Sequence, residues 1–455
     1  MSAVADLAGF VQGVRFADLP AAVVEKAKRH ILDTLGAALA GALAAEPRQT
    51  LTVLDRGGKA PVWGTGVRLG ARDAALVNGI AAHALELDDS GGCDHSGAVV
   101  LPAALAALSV TERPVSGADL LTAVVVGYDV ARRVLEACGG YAAHNGAGWH
   151  STATCGPFGA AAAAVRLLGY EAPAMAAALG HAASFSGGLW AFVHESAQTK
   201  RLHAGRAAEG GLLAALVAGQ GITGPDQIFA DVWGGFFRTL ASATAEPALL
   251  TQGMGEVWKL SRCSIKPYAS CRGTHATIDA VSALLDQHPG VEVASVAVSV
   301  SAFLMNMCGG RDLGSLSSAQ MSLPYAVAAR LVHGAADIEA YRAERRQDPR
   351  IAPALAKVRM TIDPDLPDLT EPTVTITFAD GRTASRHEPV ALGAPANPIA
   401  DAALEAKYRA LAGLVLPDDR VAALAELVMG LDRLTDARRV LPLLGGAAEA
   451  GRILQ

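Results

Sequence analysis

The sequence has no excess of positive charge. It contains 38 Lys and Arg residues against 44 Asp and Glu residues, with a formal net charge of -6. Nucleic-acid-binding proteins need clustered basic residues to neutralise phosphates, and single-strand binders interleave them with aromatic residues that stack on bases. Neither pattern is present, so the sequence argues against a nucleic-acid partner.

Cysteine is scarce and dispersed. None of the six cysteines forms a CxxC pair or a metal-finger spacing, so we expect buried free thiols in a reducing compartment. The six are Cys93, Cys138, Cys155, Cys263, Cys271 and Cys308. HExxH, Walker A, GxSxG and dinucleotide-binding motifs are also absent from the sequence. We therefore predict no metal and no cofactor.

The N-terminal sequence lacks the features of a signal peptide. It has no basic region followed by an apolar core, and Asp6 lies within it. The stretches 137–165 and 172–194 carry no formal charge, but they contain His150, His181 and many glycines. A lipid-facing helix would bury such residues at high cost. We expect a cytoplasmic protein without a membrane partner.

Apolar and small residues recur at helical spacing through most of the chain, as in 19–43. After about residue 264 the period changes to two, as in 291–300 and 373–386, which indicates strands. Helical spacing returns from Pro398 onward. We predict a mainly α protein, in which residues 1–263 and 395–455 are helical and residues 264–394 form a smaller α+β domain.

Four polar stretches interrupt this background. In "HALELDDSGGCDHSG", the carboxylates of Glu86, Asp88 and Asp89 precede His95. Carboxylates grouped beside a histidine suit acid–base chemistry, because repulsion and burial separate their pKa values. A solvated helix end is the alternative.

The second stretch, "GAGWHSTATCGPFG", runs from a glycine-rich loop through His150 into a helix that we expect to begin near Pro157. Such a junction presents an imidazole and backbone amides at one place, although a structural histidine is the alternative.

The third and fourth stretches are rich in cations. In "TKRLHAGR", Lys200, His203 and Arg206 recur every three residues with few acids nearby, so we expect one helical face that attracts an anion. A solvated basic surface is the alternative. "KPYASCRGTH" supplies Lys266, Arg272 and His275 at the junction of the two domains, where small-molecule sites commonly lie. Together the four stretches can grip two or three carboxylates.

Successive motifs resemble those of the MmgE/PrpD family along nearly the whole chain. They include "AALVNGIAAHALELDD", "GWHSTATCGPFGAAAAAVRLLG", "TKRLHAGRAAEGG", "KPYASCRGTHATIDA" and "SSAQMSLPYAVAARLVHG". The resemblance implies a large helical domain made from both chain ends, an inserted α+β lid, and a homodimer with its site between the domains. The loop "DDSGGCDHSG" departs from the family pattern, since Ser96 replaces the usual proline.

The resemblance also implies which residues form the active site. Its catalytic positions correspond to Asp88, His95, His150, Lys200, His275 and Tyr325. We add a predicted substrate-binding set from the motifs and the cation-rich stretches. This set is Glu86, Ser90, His203, Arg206, Lys266 and Arg272.

The resemblance implies chemistry at a carbon next to a carboxylate, on a small di- or tricarboxylate. We favour a hydro-lyase similar to 2-methylcitrate dehydratase, with a cis-aconitate decarboxylase-like or iminodisuccinate epimerase-like enzyme as the alternatives. His150 or Asp88 is then the base and His95 or His275 the acid, while Lys200 stabilises developing negative charge. A non-catalytic anion-binding protein and a redox enzyme are less favoured, because the former needs no such histidines and the latter needs a cofactor motif.

Overall fold

The computed structural model describes residues 2–195 and 197–446, so the last part of the predicted C-terminal helical segment, 447–455, lies outside the described residues. The first helices are α1 (Ala3–Gly13), α2 (Ala21–Gly41), α3 (Ala45–Leu51), α4 (Ala71–His83), α5 (Gly97–Val110) and α6 (Gly117–Ala137). They are followed by α7 (Gly140–Gly146), α8 (Ser151–Leu168), α9 (Ala172–Phe185), α10 (Thr199–Gly219) and α11 (Phe236–Leu240). A two-stranded ribbon of β1 (Ala60–Pro61) and β2 (Arg68–Leu69) lies between α3 and α4.

The middle of the chain contains a mixed sheet. Its helices are α12 (His275–Gln287), α13 (Ala302–Cys308), α14 (Leu316–Gln320), α15 (Leu323–His333), α16 (Ala343–Arg346) and α17 (Ile351–Ala356). Its strands are β3 (Val293–Val300), β4 (Val358–Ile362), β5 (Thr373–Phe378) and β6 (Thr383–His387). The chain then returns to helices with α18 (Asp401–Ala412) and α19 (Asp418–Met429). Within the described residues, no helix combines the length and apolar character that crossing a membrane requires.

The strands lie in the order β4-β3-β5-β6, with β3 parallel to β4 and the other two pairs antiparallel. Val296, Val298 and Val300 of β3 are fully buried, whereas the intervening residues face outward. Because of this alternation, one face of the sheet packs on α12 and α15. The sheet and these two helices share a hydrophobic core that is separate from the core of the helical part. The predicted period-two stretches are therefore strands, and β3 and β5 each have one buried face.

The C-terminal helices return to the N-terminal ones. The ring of Tyr408 on α18 lies so close to α2 that a Cβ at Gly36 would be 3.2 Å from it. Lys407 also reaches back, with its Nζ atom 2.6 Å from Oδ1 of Asp33 on α2. The chain thus has the predicted class, a mainly α fold with a large helical part and a smaller part containing the sheet. The proposed boundaries at 263/264 and 394/395 stay a prediction.

Close helix packing brings together the segments that carry the polar stretches. A Cβ at Gly79 of α4 would lie 2.8 Å from the Cα atom of Gly205 on α10, so these helices meet backbone to backbone. The C-terminal end of α4 leads into the stretch with Glu86, and the N-terminal end of α10 carries Lys200. Glycine at these two positions therefore brings the two polar segments within reach of each other.

Helix α8 begins at Ser151, six residues before the predicted entry near Pro157. A proline inside a helix lacks the N–H that would bond the carbonyl four residues earlier. Here that carbonyl, on Ala153, accepts instead from the backbone N–H of Gly187 at 3.3 Å. This external donor makes an internal proline tolerable, and His150 becomes the N-cap residue of α8.

Candidate active site

A cavity of about 280 Å³ lies where the helical part faces the sheet-containing part. Its wall includes Glu86, His95 and Lys200 from the helical part, and Cys271 and Arg272 from the other. A second cavity of about 280 Å³ lies beside it and shares Glu86, Lys200 and Met307 with it. Five residues predicted from sequence, Glu86, Ser90, His95, Lys200 and Arg272, therefore line one cavity.

The loop that carries the acids is strained. Among the described residues only two that are not glycine have φ angles in the left-handed region, Glu86 at 54° and Asp94 at 101°. Both line the cavity. Such conformations cost free energy and tend to occur at functional sites, where surrounding contacts hold them in place. The strain therefore supports this cavity as the active site.

His95 is held between two carboxylates. Its Nδ1 atom lies 3.0 Å from Oδ2 of Asp88, and its Nε2 atom lies 3.3 Å from Oδ2 of Asp94. Burial alone would lower the pKa of His95, but the charges of Asp94 and Asp88 outweigh it and raise the pKa to about 10. His95 is thus an imidazolium at neutral pH, with a proton on each ring nitrogen.

His83 lies beside His95 but has the opposite protonation state. The two ring centroids are 4.1 Å apart, and Nδ1 of His83 lies 3.1 Å from both carboxylate oxygens of Asp88. Burial dominates over the attraction of Asp88 and lowers the pKa of His83 to about 4. The cavity wall therefore contains one charged histidine with a neutral histidine directly behind it.

Glu86 is the shared counter-ion of two lysines. Its Oε1 atom accepts from Lys200, and its Oε2 atom lies 3.1 Å from the Nζ atom of Lys266, which is fully buried. Burial would raise the pKa of Glu86, but the two ammonium groups outweigh it and hold that pKa well below its ordinary value. An ammonium group has three N–H donors. Lys200 directs one to Glu86 and one to the Sδ atom of Met321 at 3.7 Å, so one donor is left for a ligand in the cavity.

The expectation that the cations of α10 have few acids nearby is wrong in three dimensions. Lys200 pairs with Glu86, and Arg201 pairs with Glu46, from segments more than a hundred residues away. Arg206 pairs with Glu209 on its own helix and is 60% exposed. Because six residues turn a helix by about 240°, Arg206 lies on a different face from Lys200, and the structure does not bring it to the cavity.

Four further predicted residues are buried behind the cavity. Asp88 contacts His83 and His95 without lining the cavity, and Lys266 contacts Glu86 in the same way. His150 is fully buried and pairs with His203, with 2.9 Å between their Nδ1 atoms. Contact with the lining residues thus places these side chains one layer behind the cavity wall.

His275 and Tyr325 have structural contacts. The Nε2 atom of His275 lies 3.2 Å from the carbonyl oxygen of Ser270. Its Nδ1 atom is buried and has no hydrogen-bond partner in the part of the chain that the structure describes. The hydroxyl of Tyr325 donates to the carbonyl of Ala340. Neither side chain lines the cavity, because these hydrogen bonds turn both toward the backbone of the sheet-containing part. These contacts do not support the catalytic roles predicted for His275 and Tyr325.

Sequence reasoning missed His83, Asp94 and Cys271. His83 and Asp94 lie inside the first polar stretch, where the short spacing His83-Glu86-Asp88 is a signal in the sequence. Cys271 had none, because a buried thiol next to a cavity has the same sequence pattern as a thiol in a core. All six cysteines are buried and free, as predicted.

Some of these side chains have the chemistry of metal ligands. Donor atoms lie within 4.8 Å of one another in His83–Asp88–His95, in Asp94–His95–His150 and in Cys138–His144–Cys155. The first two sets share His95, whose two ring nitrogens each face a carboxylate. A metal ion bound to His95 would have to displace the proton on one of these nitrogens. The geometry of these two sets therefore fits an imidazolium better than a metal ion.

Comparisons with known proteins find similarity to one family along most of the chain. The family model described as the MmgE/PrpD N-terminal domain matches residues 5–247, and the MmgE/PrpD C-terminal domain matches residues 268–433. A cis-aconitate decarboxylase of Aspergillus terreus is 31% identical over 94% of this chain and 92% of its own length. The cis-aconitate decarboxylase of Homo sapiens is 29% identical over 96% of this chain and 93% of its own length. A cis-aconitate decarboxylase-like protein of Aspergillus oryzae is 29% identical over 97% of both chains.

Proposed function

Since the chain belongs to the MmgE/PrpD family, we propose that it is a lyase that removes carbon dioxide from a small polycarboxylate of the cis-aconitate type. The observation that carries the proposal is the position of the His95 ring, held between Asp88 and Asp94 on the wall of a cavity that Lys200 also lines. The similar proteins named above are cis-aconitate decarboxylases, which favours decarboxylation over the dehydration that the sequence motifs suggested.

Decarboxylation needs a proton donor and a place for negative charge. The bond between the leaving carboxylate and the substrate carbon breaks, carbon dioxide departs, and the electron pair remains on the substrate. That pair is then neutralised by one proton, which forms a new C–H bond. His95 supplies this proton, because it is the histidine of the cavity wall that is protonated at neutral pH. Solvent must return one proton to His95 in each turnover.

The cations beside His95 hold the substrate and stabilise the developing charge. Lys200 lines the cavity with one N–H donor left for a ligand. Arg272 at the same wall pairs with Glu371 through one nitrogen and adds a planar guanidinium suited to a carboxylate. Before a ligand binds, Glu86 pairs with Lys200 and Lys266, and Asp88 and Asp94 pair with His95, so that three carboxylates balance three cations. This paired arrangement keeps buried charges oriented, so little reorganisation is needed when the substrate becomes a carbanion.

Dehydration of a hydroxytricarboxylate is the second candidate, and one observation favours it. The charged His95 and the neutral His150 have ring centroids 6.3 Å apart, which gives the site both an acid and a base. A dehydratase uses such a pair to take a proton from carbon and to protonate the departing hydroxyl. A decarboxylase needs the acid alone.

The experiment incubates the protein with cis-aconitate and with 2-methylcitrate and follows both reactions by NMR, with carbon dioxide measured separately. We expect cis-aconitate to release carbon dioxide. In deuterated water, we expect one deuterium on the product, at the carbon that takes up the proton. Loss of water from 2-methylcitrate without carbon dioxide would establish the dehydratase instead. Binding of both compounds without any reaction would leave only an anion-binding protein.

A further inference from the structure

His150 and His203 form a pair behind the cavity wall. Their Nδ1 atoms are 2.9 Å apart and their ring centroids 5.1 Å apart. His150 is fully buried, and His203 is only 8% exposed. We propose that His203 is a positioning residue that donates its Nδ1–H to His150, and so holds the His150 ring as a neutral Nε2–H donor toward a substrate carboxylate.

Each ring of the pair carries one proton at neutral pH. Burial, together with His83 and Lys200, lowers the pKa of His203 to about 4. Burial and the neighbouring His203 and Lys200 lower the pKa of His150 well below its ordinary value. A neutral imidazole has one donor nitrogen and one acceptor nitrogen. The 2.9 Å bond therefore has two possible directions, and each direction fixes the state of the Nε2 atom of His150.

The position of Nε2 distinguishes the two directions. This atom is buried and has no hydrogen-bond partner among the described residues. A ring nitrogen of His150 lies within 4.8 Å of donor atoms on both Asp94 and His95, which line the cavity. Trp190, also on the cavity wall, packs edge-on against His150 at 5.2 Å. The ring with the unpartnered nitrogen therefore lies directly behind the cavity wall, and the proposal gives this nitrogen a ligand in the cavity as its partner.

The charge of that ligand selects the direction, and this step rests on the proposed function. A carboxylate accepts hydrogen bonds and donates none. A bare Nε2 lone pair would repel it, whereas an Nε2–H would bind it. For His150 to carry its proton on Nε2, its Nδ1 must be the acceptor, and His203 must be the donor.

Backbone contacts hold both rings in place. The N–H of His150 donates to the carbonyl of Gly188 at 3.0 Å, and its own carbonyl accepts from Ala153 at 2.9 Å. A Cβ at Gly188 would lie 3.3 Å from ring atoms of His203, so this ring packs directly against that backbone. His203 therefore acts through His150, and this assignment replaces its predicted role as a substrate ligand.

Two variants of His203 separate positioning from packing. His203→Asn keeps an N–H donor at the δ position, whereas His203→Leu has a similar volume and no donor. We expect kcat/KM of the Leu variant to fall on the order of tenfold to a hundredfold, with the Asn variant close to wild type. The melting temperature and circular dichroism of both variants report whether the fold is kept. Wild-type kcat/KM in the Leu variant would overturn the proposal.

The tautomer itself is measured without substrate. Protein labelled with ¹⁵N-histidine gives two-bond ¹H–¹⁵N correlations that distinguish protonated from bare ring nitrogens, and His150→Gln assigns the signals of His150. We expect Nε2 protonated and Nδ1 bare in the wild type and in His203→Asn. A bare Nε2 in the wild type would overturn the inference even if carbon dioxide is produced. The expected tautomer without carbon dioxide release would count against the proposed function alone.

Discussion

The Nε2 atom of His95 lies 3.3 Å from Oδ2 of Asp94, whose backbone is held at a φ angle of 101°. A residue in a strained conformation thus supplies one of the two charges that keep His95 protonated. Asp94 acts on a ring that faces the cavity, so the proposed proton donor depends on it directly.

The substitution Asp94→Asn tests this dependence. Removing the carboxylate charge lowers the pKa of His95 from about 10, so the donor loses its proton at a lower pH. We expect the alkaline limb of the kcat profile to move toward neutral pH by on the order of one unit. Asp380→Asn, on the exposed β5–β6 turn, is the matched control and leaves the profile in place. An unchanged alkaline limb in Asp94→Asn would separate His95 from the proton-transfer step.

Lys200→Ala tests the cation of the cavity. Lost electrostatic stabilisation of about 3 kcal/mol lowers kcat on the order of a hundredfold. Arg206→Ala on the same helix is the control, because its side chain is 60% exposed and its partner Glu209 also binds Arg72. We expect Arg206→Ala to keep wild-type turnover in the same assay. If Lys200→Ala kept the same wild-type kcat as Arg206→Ala, Lys200 would have no part in the mechanism.

Glu86→Gln tests the shared counter-ion. Among the described residues, Glu86 is the acid that pairs with Lys266, so the variant leaves this fully buried ammonium without an ion-pair partner there. We expect the free energy of unfolding to fall by on the order of 3 kcal/mol, measured by urea denaturation. Glu405→Gln is the control, because its pair with Arg409 is half exposed and contributes on the order of 0.5 kcal/mol. Similar losses in the two variants would contradict the buried pairing.

The pKa values of three buried histidines in the folded protein determine how its stability depends on pH. His83 and His203 have folded pKa values near 4, below the ordinary value of about 6.5. The unfolded chain therefore binds more protons between these values, and stability falls as the pH drops from about 6.5 toward 4. For His95 the sign is opposite, because its folded pKa is raised to about 10. Its contribution is complete below about pH 6.5 and is lost as the pH rises toward 10.

These two slopes place the stability maximum near pH 6.5, which melting temperatures measured from pH 4 to 10 can check. His95→Gln is expected to flatten the alkaline side and to leave the acid slope in place. A wild-type melting temperature that rises steadily to pH 10 would show that His95 is not held as an imidazolium.

The sequence was sufficient for the elements and for much of the site. Apolar spacing identified the long helices and the strands of the sheet, because both periodicities are local properties of the chain. The acids and histidines of the stretch from His83 to His95 lie within a few residues of each other along the chain. Contacts among their side chains could therefore be expected from the sequence. The start of α8 was misplaced, because the donor that satisfies Ala153 beside Pro157 comes from Gly187, thirty residues further along.

The sequence by itself determined a mainly α fold, the family, and the residue types available for acid–base and anion-binding chemistry. Only the tertiary structure decided which charges meet. Lys200 and Lys266 reach Glu86 across 114 and 180 residues of chain, whereas Arg206, six residues from Lys200, faces solvent. The physical reason is that ion pairing acts through space, and the approach of α4 to α10 at Gly79 and Gly205 sets distances that no spacing along the chain contains.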